Sequence, residues 1–290
     1  MTPLDYEFLR KFLKERSGLD LSSDKQYLVE SRLIPLARRA GLPGIAELVQ
    51  KIKAGADALT SDVVEAMTTN ETFFFRDKIP FDHLRETVLP QLVQARAGRH
   101  SLRIWCAASS TGQEPYSVAM CVKEFVALAG WRVEIVATDL SEEVLEKSRA
   151  GIYSQFEVQR GLPIQMLVKY FSQVGELWQV NADIRAMVQH RQLNLLHDFS
   201  HLGAFDLIFC RNVLIYFDQD TKAGIFERLA RVIEPDGVLA LGAAESVVGI
   251  SEAFKPYADR RGLYRPNAER SARAGAAGLM PQAFRVAAAN

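Results

Sequence analysis

A chain of 290 residues is long enough for one large domain or two unequal ones, each with a real core. Its 48% hydrophobic and 24% charged residues are ordinary for a globular protein, and 35 basic residues balance 35 acidic ones. That balance argues against a nucleic-acid binder, which needs a basic excess.

The first 76 residues read as helices. Thr2 can cap a helix over residues 2–16, with Pro3 in its first turn and Leu4, Phe8, Leu9, Phe12 and Leu13 on one face. Ser23 and Gln26 have capping-box spacing for a second helix, which Pro35 is expected to kink or split. Arg32, Arg38 and Arg39 cluster on it; three arginines by themselves read as a solvated face. Two more short helices follow at 45–54 and 61–69, and no strand signal precedes residue 100. The string TNETFFFR, residues 69–76, then breaks the period. Its three phenylalanines suit either a core plug between two domains or an aromatic wall beside a cationic ligand. Residues 77–98 read as a linker helix interrupted at Pro90.

From residue 99 the pattern changes. In LRIWCAASSTGQEPYSVAMC, residues 102–121, an apolar strand runs into small residues, a lone Gly112 and then a helical period. Val133–Ala137 is a strand ending at Thr138 and Asp139, with Ser141 capping the next helix. FDLIFC, residues 205–210, is a buried strand, and Asp218 caps the helix after it. Pro235-Asp236-Gly237 reads as a turn before a strand at Val238–Leu241. Such alternation predicts a parallel sheet with right-handed crossovers. Residues 151–193 do not fit it; the Gly175 turn and the alternation after Trp178 suggest a small antiparallel insertion, placed at about 155–193. Residues 267–290, rich in Ala, Gly and Arg, read as a flexible tail. No apolar run approaches the roughly 20 residues of a membrane span, and the first residues lack the apolar stretch of a secretory signal. Cys106, Cys121 and Cys210 are odd in number, so reduced core thiols in a cytoplasmic chain are expected.

Open parallel sheets bind ligands at the carboxyl ends of their strands. The loop 107–114, Asp139, Asn194 and Arg211–Asn212 all fall there. A carboxylate at the end of the second strand can accept both hydroxyls of a ribose; by itself Asp139 is equally a helix cap. A dinucleotide loop wants G-x-G-x-x-G, whereas this one has a single glycine and Glu114, which repels phosphate and attracts an ammonium. A ribose, an amino-acid tail and no phosphate point to S-adenosylmethionine. His197 and His201 have i, i+4 spacing but no intervening Glu and no evident third ligand, so no metal is expected.

The strings TNETFFFR, ASSTGQEPYS, ATDLSEEVLEKSRAGIY and FCRNVLIYF, in this order and spacing, closely resemble the chemotaxis receptor methyltransferase (CheR) family over about residues 1–266. That resemblance implies an all-helical N-terminal domain ahead of an α/β, Rossmann-like class I methyltransferase domain with a small antiparallel β-subdomain. It implies transfer of methyl from S-adenosylmethionine to glutamate side chains of chemoreceptors, leaving S-adenosylhomocysteine and glutamyl methyl esters. It assigns Asn70, Thr72 and Arg76 to the motif that reaches the cofactor, Glu114 to its methionine moiety, Asp139 to its ribose, and Asn194 and Leu195 to its adenine. Arg211 and Asn212 fall in the fourth-strand motif, and Tyr216 near the reacting methyl, so Arg76 and Tyr216 are the catalytic candidates. Many family members carry a second acid where this chain has Gln113. The expected partners are receptor cytoplasmic domains, with methylation helices docked on Arg32, Arg38 and Arg39; some family members also add a receptor tail peptide at the β-subdomain, and these residues leave that contact open. Neither nucleic acid, membrane insertion nor an oligomer is called for. The rivals are a small-molecule methyltransferase, which would not need the helical domain, a cofactor-sensing module without chemistry, and a nicotinamide dehydrogenase, which the lone glycine disfavours.

Overall fold

Helix α1 (Pro3–Ser17) starts at Thr2, whose hydroxyl accepts the Asp5 N–H while the Asp5 carboxylate accepts the Thr2 N–H. With α2 (Gln26–Arg39), α3 (Ile45–Lys53) and α4 (Asp57–Met67) it closes a helical domain over Leu9, Leu13, Val29, Leu33, Leu48 and Val63. The computed structural model that gives this fold describes residues 1–269, so the expected tail lies outside the described residues from 270 onward.

Two local expectations fail in this domain. No capping box forms at Ser23 and Gln26: α2 follows Lys25 without a side-chain cap, and the Lys25 N–H bonds instead to the Ser22 carbonyl. Nor does Pro35 split the helix, which runs unbroken to Arg39. An interior proline costs about 3 kcal/mol, but Leu33, Leu36 and Ala37 are buried on both sides of it, and each buried leucine contributes about 1.5–3 kcal/mol. Helix α4 also begins earlier than its apolar period suggests.

The linker is α5 (Ile79–His83), a π-helical turn at Leu84–Val88, and α6 (Leu89–Ala95). Pro90 has no N–H to give, and the Leu89 N–H reaches back to the Leu84 carbonyl, so the predicted interruption becomes a widened turn.

The second domain runs β1 (Ser101–Ala107), α7 (Gln113–Glu124), β2 (Arg132–Asp139), α8 (Glu142–Ala150), β3 (Ile152–Ser154), α9 (Gln155–Gln159), α10 (Ile164–Tyr170), β4 (Phe171–Val174) and β5 (Leu177–Val180). It continues through α11 (Ala182–Arg185), β6 (Val188–Gln192), β7 (Phe205–Cys210), α12 (Gln219–Leu229), β8 (Ile233–Leu241), β9 (Phe254–Pro256) and β10 (Leu263–Pro266). The main sheet has the order β6-β2-β1-β7-β8-β10-β9. Its first five strands are parallel; β10 and β9 turn antiparallel at the far edge. Both faces are covered, which is why the strands read as continuous apolar runs. Leu102, Ile104 and Cys106 enter one core and Trp105 and Ala107 the other. All three cysteines are free and buried.

Two strand expectations are corrected. Pro235-Asp236-Gly237 is not a turn before a strand but an irregularity inside β8, where pairing with β7 slips between Phe205 and Leu207. The antiparallel insertion, of order β3-β5-β4, begins at Ile152 and ends before residue 188. Strand β6 instead pairs parallel to β2 in the main sheet. Strand order reverses between β1 and β7, and that switch point places the site.

Candidate functional site

A cavity enclosing about 990 Å³, part of it open to solvent, lies where β1, β2 and β7 end. The sheet supplies its floor through Ala108–Ser110, Asp139 and Arg211–Val213. The helical domain supplies a wall through Ser17, Leu19, Met67–Thr72 and Arg76. Asn70, Thr72, Arg76, Glu114, Asp139, Asn194, Leu195, Arg211, Asn212 and Tyr216, scattered over the sequence, all line it.

Asp139 is 7% exposed, and each carboxylate oxygen takes one backbone donor: Oδ2 from Ser110 N–H at 2.8 Å, Oδ1 from Ser141 N–H at 3.1 Å. Burial raises its pKa above the usual aspartate value, against the lowering effect of those backbone donors. The loop below it turns left-handed at Ala108 and Ser110, and the Ser110 hydroxyl holds the Asn70 carbonyl at 2.9 Å. Gly112 serves packing, not ligand approach. Its φ is +96°, and a Cβ there would sit 2.2 Å from Ser148 Oγ and 2.9 Å from Tyr153 Oη.

Glu114 and Arg211 pair at 2.8 Å, Oε2 to Nη1. Burial raises the Glu114 pKa and the guanidinium offsets part of that rise. Arg211 also donates from Nη2 to the Arg76 carbonyl at 2.9 Å and to Asp77 Oδ2 at 2.8 Å. It thereby pins a turn whose residues Phe75, Asp77 and Lys78 are all left-handed. Such residues cost about 1–3 kcal/mol each and persist only where their surroundings hold them. Arg76 projects from that turn, its Nη1 on the Glu71 carbonyl at 2.6 Å.

Tyr216 closes a short turn after β7 with its ring half-buried, and its carbonyl accepts the Asp20 N–H of the helical domain at 2.9 Å. A Lys14–Asp218 pair at 2.5 Å joins the same two parts. Asn194 is another tie: its Nδ2 donates to the Arg16 carbonyl at 2.7 Å and its Oδ1 accepts the Leu196 N–H at 3.0 Å.

Some candidates sit elsewhere or serve another end. None of Phe73, Phe74 and Phe75 lines the cavity, so they form no aromatic wall there; Phe74 and Phe75 plug the core of the second domain and not a seam between two domains. Phe74 packs edge-on to Tyr153 and Phe171 at 5.1 and 5.5 Å, and Phe73 lies under Arg160 at 4.4 Å. Arg32 turns inward, its Nη1 on the Met67 and Thr68 carbonyls at 2.7 Å, whereas Arg38 and Arg39 are exposed. Gln113 is buried off the cavity and accepts the Thr111 hydroxyl at 2.8 Å.

Two residues carry no sequence signal, and a third, Ser109, is marked only by its place in the candidate loop 107–114. Glu65 of α4 accepts the Ser141 hydroxyl at 2.5 Å and the Glu143 N–H at 3.0 Å, tying the helical domain to the segment that holds Asp139. Glu245 gathers backbone N–H groups behind Asn212. Ser109 lines the cavity at 1% exposure with its hydroxyl unpartnered.

This donor set suits an adenosyl amino acid: a strand-end carboxylate, a second acid, an orphan hydroxyl and Arg76. The floor offers no glycine-rich phosphate cradle. Comparison with known proteins agrees. Residues 4–68 match the family model described as "CheR methyltransferase, all-alpha domain", and residues 70–263 match "CheR methyltransferase, SAM binding domain". The chain is 45% identical over 258 residues to Chemotaxis protein methyltransferase 1 of Pseudomonas aeruginosa, covering 87% of this chain and 93% of that one. It is 42% identical over 258 residues to Chemotaxis protein methyltransferase Cher2 of Pseudomonas putida, covering 87% and 94%. The cofactor is S-adenosylmethionine. An all-helical domain set over a cofactor cavity at a sheet switch point, with both halves matched along their lengths, makes this chain a member of the CheR family of chemotaxis methyltransferases.

Proposed function

We propose that this chain esterifies glutamate side chains of membrane-bound chemoreceptors, as a protein-glutamate O-methyltransferase of chemotactic adaptation. The observation that carries this reading is a cavity walled by both domains, with Asp139 and Glu114 on the sheet side and Arg76 and Tyr216 converging on it.

When bound, S-adenosylmethionine supplies a methyl group already activated on its sulfonium. In this reading Asp139 accepts the ribose hydroxyls, Glu114 attracts the ammonium, and Asn194–Leu195 flank the adenine. Asn70 and Thr72 reach the ligand from the helical domain, and Asn212 from the end of β7. Arg211 acts through Glu114 and the 76–77 turn. A glutamate acceptor, with a reference pKa of about 4.3, is ionised at neutral pH and needs no general base. What the protein must provide is alignment and water exclusion; alignment alone can supply about 7–11 kcal/mol of the barrier. Arg76, with donors beyond the one on Glu71, orients a carboxylate, and the Tyr216 ring lines the reacting region. Arg38 and Arg39 meet the acidic receptor helix. The outer edge of β4, unpaired among the described residues, offers backbone groups for a receptor tail strand.

The test is incubation of the purified chain with tritiated S-adenosylmethionine and a receptor cytoplasmic fragment, scored for base-labile methyl. Label released by mild base from receptor peptides that contain glutamate supports the reading. Receptor left unlabelled while the cofactor demonstrably binds would overturn it. Calorimetry with a receptor tail peptide reads the β4 edge separately; no heat and no affinity dismiss that contact.

A further inference from the structure

Glu245 does not line the cavity, yet its carboxylate organises the segment that does. Oε2 accepts the N–H of Asn212 at 2.8 Å and of Gly242 at 2.7 Å; Oε1 accepts those of Val213 at 2.9 Å and Leu214 at 2.8 Å. Strands β7 and β8 pair as far as Cys210 and Leu241, and the chains then part. One buried carboxylate, 9% exposed, satisfies the donors stranded at both ends. The fit is built on both sides. A Cβ on Gly242 would lie 2.7 Å from Glu245 Oε2 and 3.0 Å from the Asn212 nitrogen. Asn212 is held left-handed at φ +59°, and Tyr216 follows one short helical turn later.

We propose that Glu245 is a positioning residue for methyl transfer, acting through the Asn212–Leu214 turn to set where Asn212 and Tyr216 face the cofactor. This rests on the cavity roles proposed above for those two residues. Its action is confined to the loop, because the strands beneath are held by their own ladder. A glutamine at 245 keeps one oxygen for four donors and turns an NH₂ group against the rest.

The experiment compares the full chain with E245Q, E245D and G242A. It measures S-adenosylhomocysteine affinity by calorimetry and amide hydrogen exchange by mass spectrometry. E245Q is expected to keep its far-ultraviolet dichroism and a cooperative melt, to weaken binding at least tenfold, and to speed exchange in 211–216 and not in the strands. E245D, which keeps the charge and both acceptor oxygens, should recover part of both losses. Unchanged affinity and exchange in E245Q overturns the proposal. So does faster exchange spread evenly through β7 and β8 with E245D no better than E245Q, which would mark a merely structural group. If E245Q does not fold, G242A decides: it keeps the carboxylate but crowds Oε2 off the Asn212 N–H, and its 211–216 exchange and its affinity must shift selectively. Neither readout uses a methyl acceptor, so an unmodified receptor would sink the proposed substrate and leave this test standing.

Discussion

Arg211 and Glu114 meet at 2.8 Å in the cavity lining with only 1% and 11% of their side chains exposed. A pair this buried adds little net stability beyond its own desolvation, but breaking it strands a charge. R211M is therefore expected to cost about 3–5 kcal/mol in chemical denaturation. E114Q should cost less, because burial already works against its charge. The double variant should lose less than the sum of the two. Additive losses would mean that the pair is not coupled.

Asp139 gives cofactor affinity a pH dependence. Burial raises its folded pKa above 3.8, so in the free protein it takes up a proton at higher pH than an unfolded aspartate does. Ribose hydroxyls donate to the ionised form. Affinity for S-adenosylhomocysteine should thus be full at neutral pH and fall as pH drops through that raised value. For stability the sign is opposite: the ionised carboxylate is disfavoured in the fold, and the penalty appears as pH rises through the folded pKa. D139N should bind weakly with a flatter profile between pH 7 and 4. Calorimetry across that range decides, and a D139N profile that falls with acid as steeply as the wild-type one contradicts the assignment.

The legible parts of this chain are those whose cause is local. Asp139 could be found because it ends an apolar run, and Glu114 because it opens the helix after the next loop; a parallel sheet collects such positions at one edge. Asp218 and Ser141 cap the helices they precede. Pro235-Asp236-Gly237 misleads because turn chemistry is local, while the pairing with Phe205 and Leu207 that keeps it in a strand is not. Strand β6 resembles part of the antiparallel insertion because an edge strand, half exposed, alternates as a hairpin does. Glu65 and Glu245 escape because the groups that tie them to the site, Ser141 and the Glu143 N–H for one and the N–H groups of 212–214 for the other, are distant in sequence and leave no local pattern. Arg32 stands out by its charge, but its bonds to the distant Met67 and Thr68 carbonyls leave no pattern to read.

His190 should make stability fall in mild acid. Its Nε2 lies 2.7 Å from Ser148 Oγ, and burial, with Arg149 nearby, lowers its pKa to about 4. The unfolded chain binds that proton near 6.5, so this stability is present above 6.5 and is lost as pH falls toward 4. H190F removes the titration. The difference in denaturation free energy between the two proteins should change across pH 6.5 to 4; a constant difference would contradict it.

Ser109 separates affinity from stability. Its buried hydroxyl has no partner in the protein, so S109A removes a desolvated group without breaking a bond. The melting temperature should hold or rise. S-adenosylhomocysteine affinity should fall by about 0.5–1.5 kcal/mol, roughly 2- to 12-fold, if that hydroxyl bonds the ligand. Unchanged affinity would leave Ser109 a packing residue.

The arginines of α2 should divide under charge reversal. Arg32 donates to the Met67 and Thr68 carbonyls and to Thr69 Oγ1, so it braces the end of α4 where the chain becomes a cavity wall. R32E is expected to lower the melting temperature and to weaken S-adenosylhomocysteine binding, largely independent of salt. Arg38 and Arg39 are exposed in the last turn of the same helix, and neither side chain has a hydrogen-bond or ion-pair partner among the described residues. R38E/R39E should leave stability and cofactor affinity near wild type and slow receptor methylation, most at low salt, because surface charges act on encounter and are screened over about 10 Å at 0.1 M. Initial rates at two ionic strengths separate the cases. If R38E/R39E methylates receptor at the wild-type rate in low salt, the acidic helix docks elsewhere.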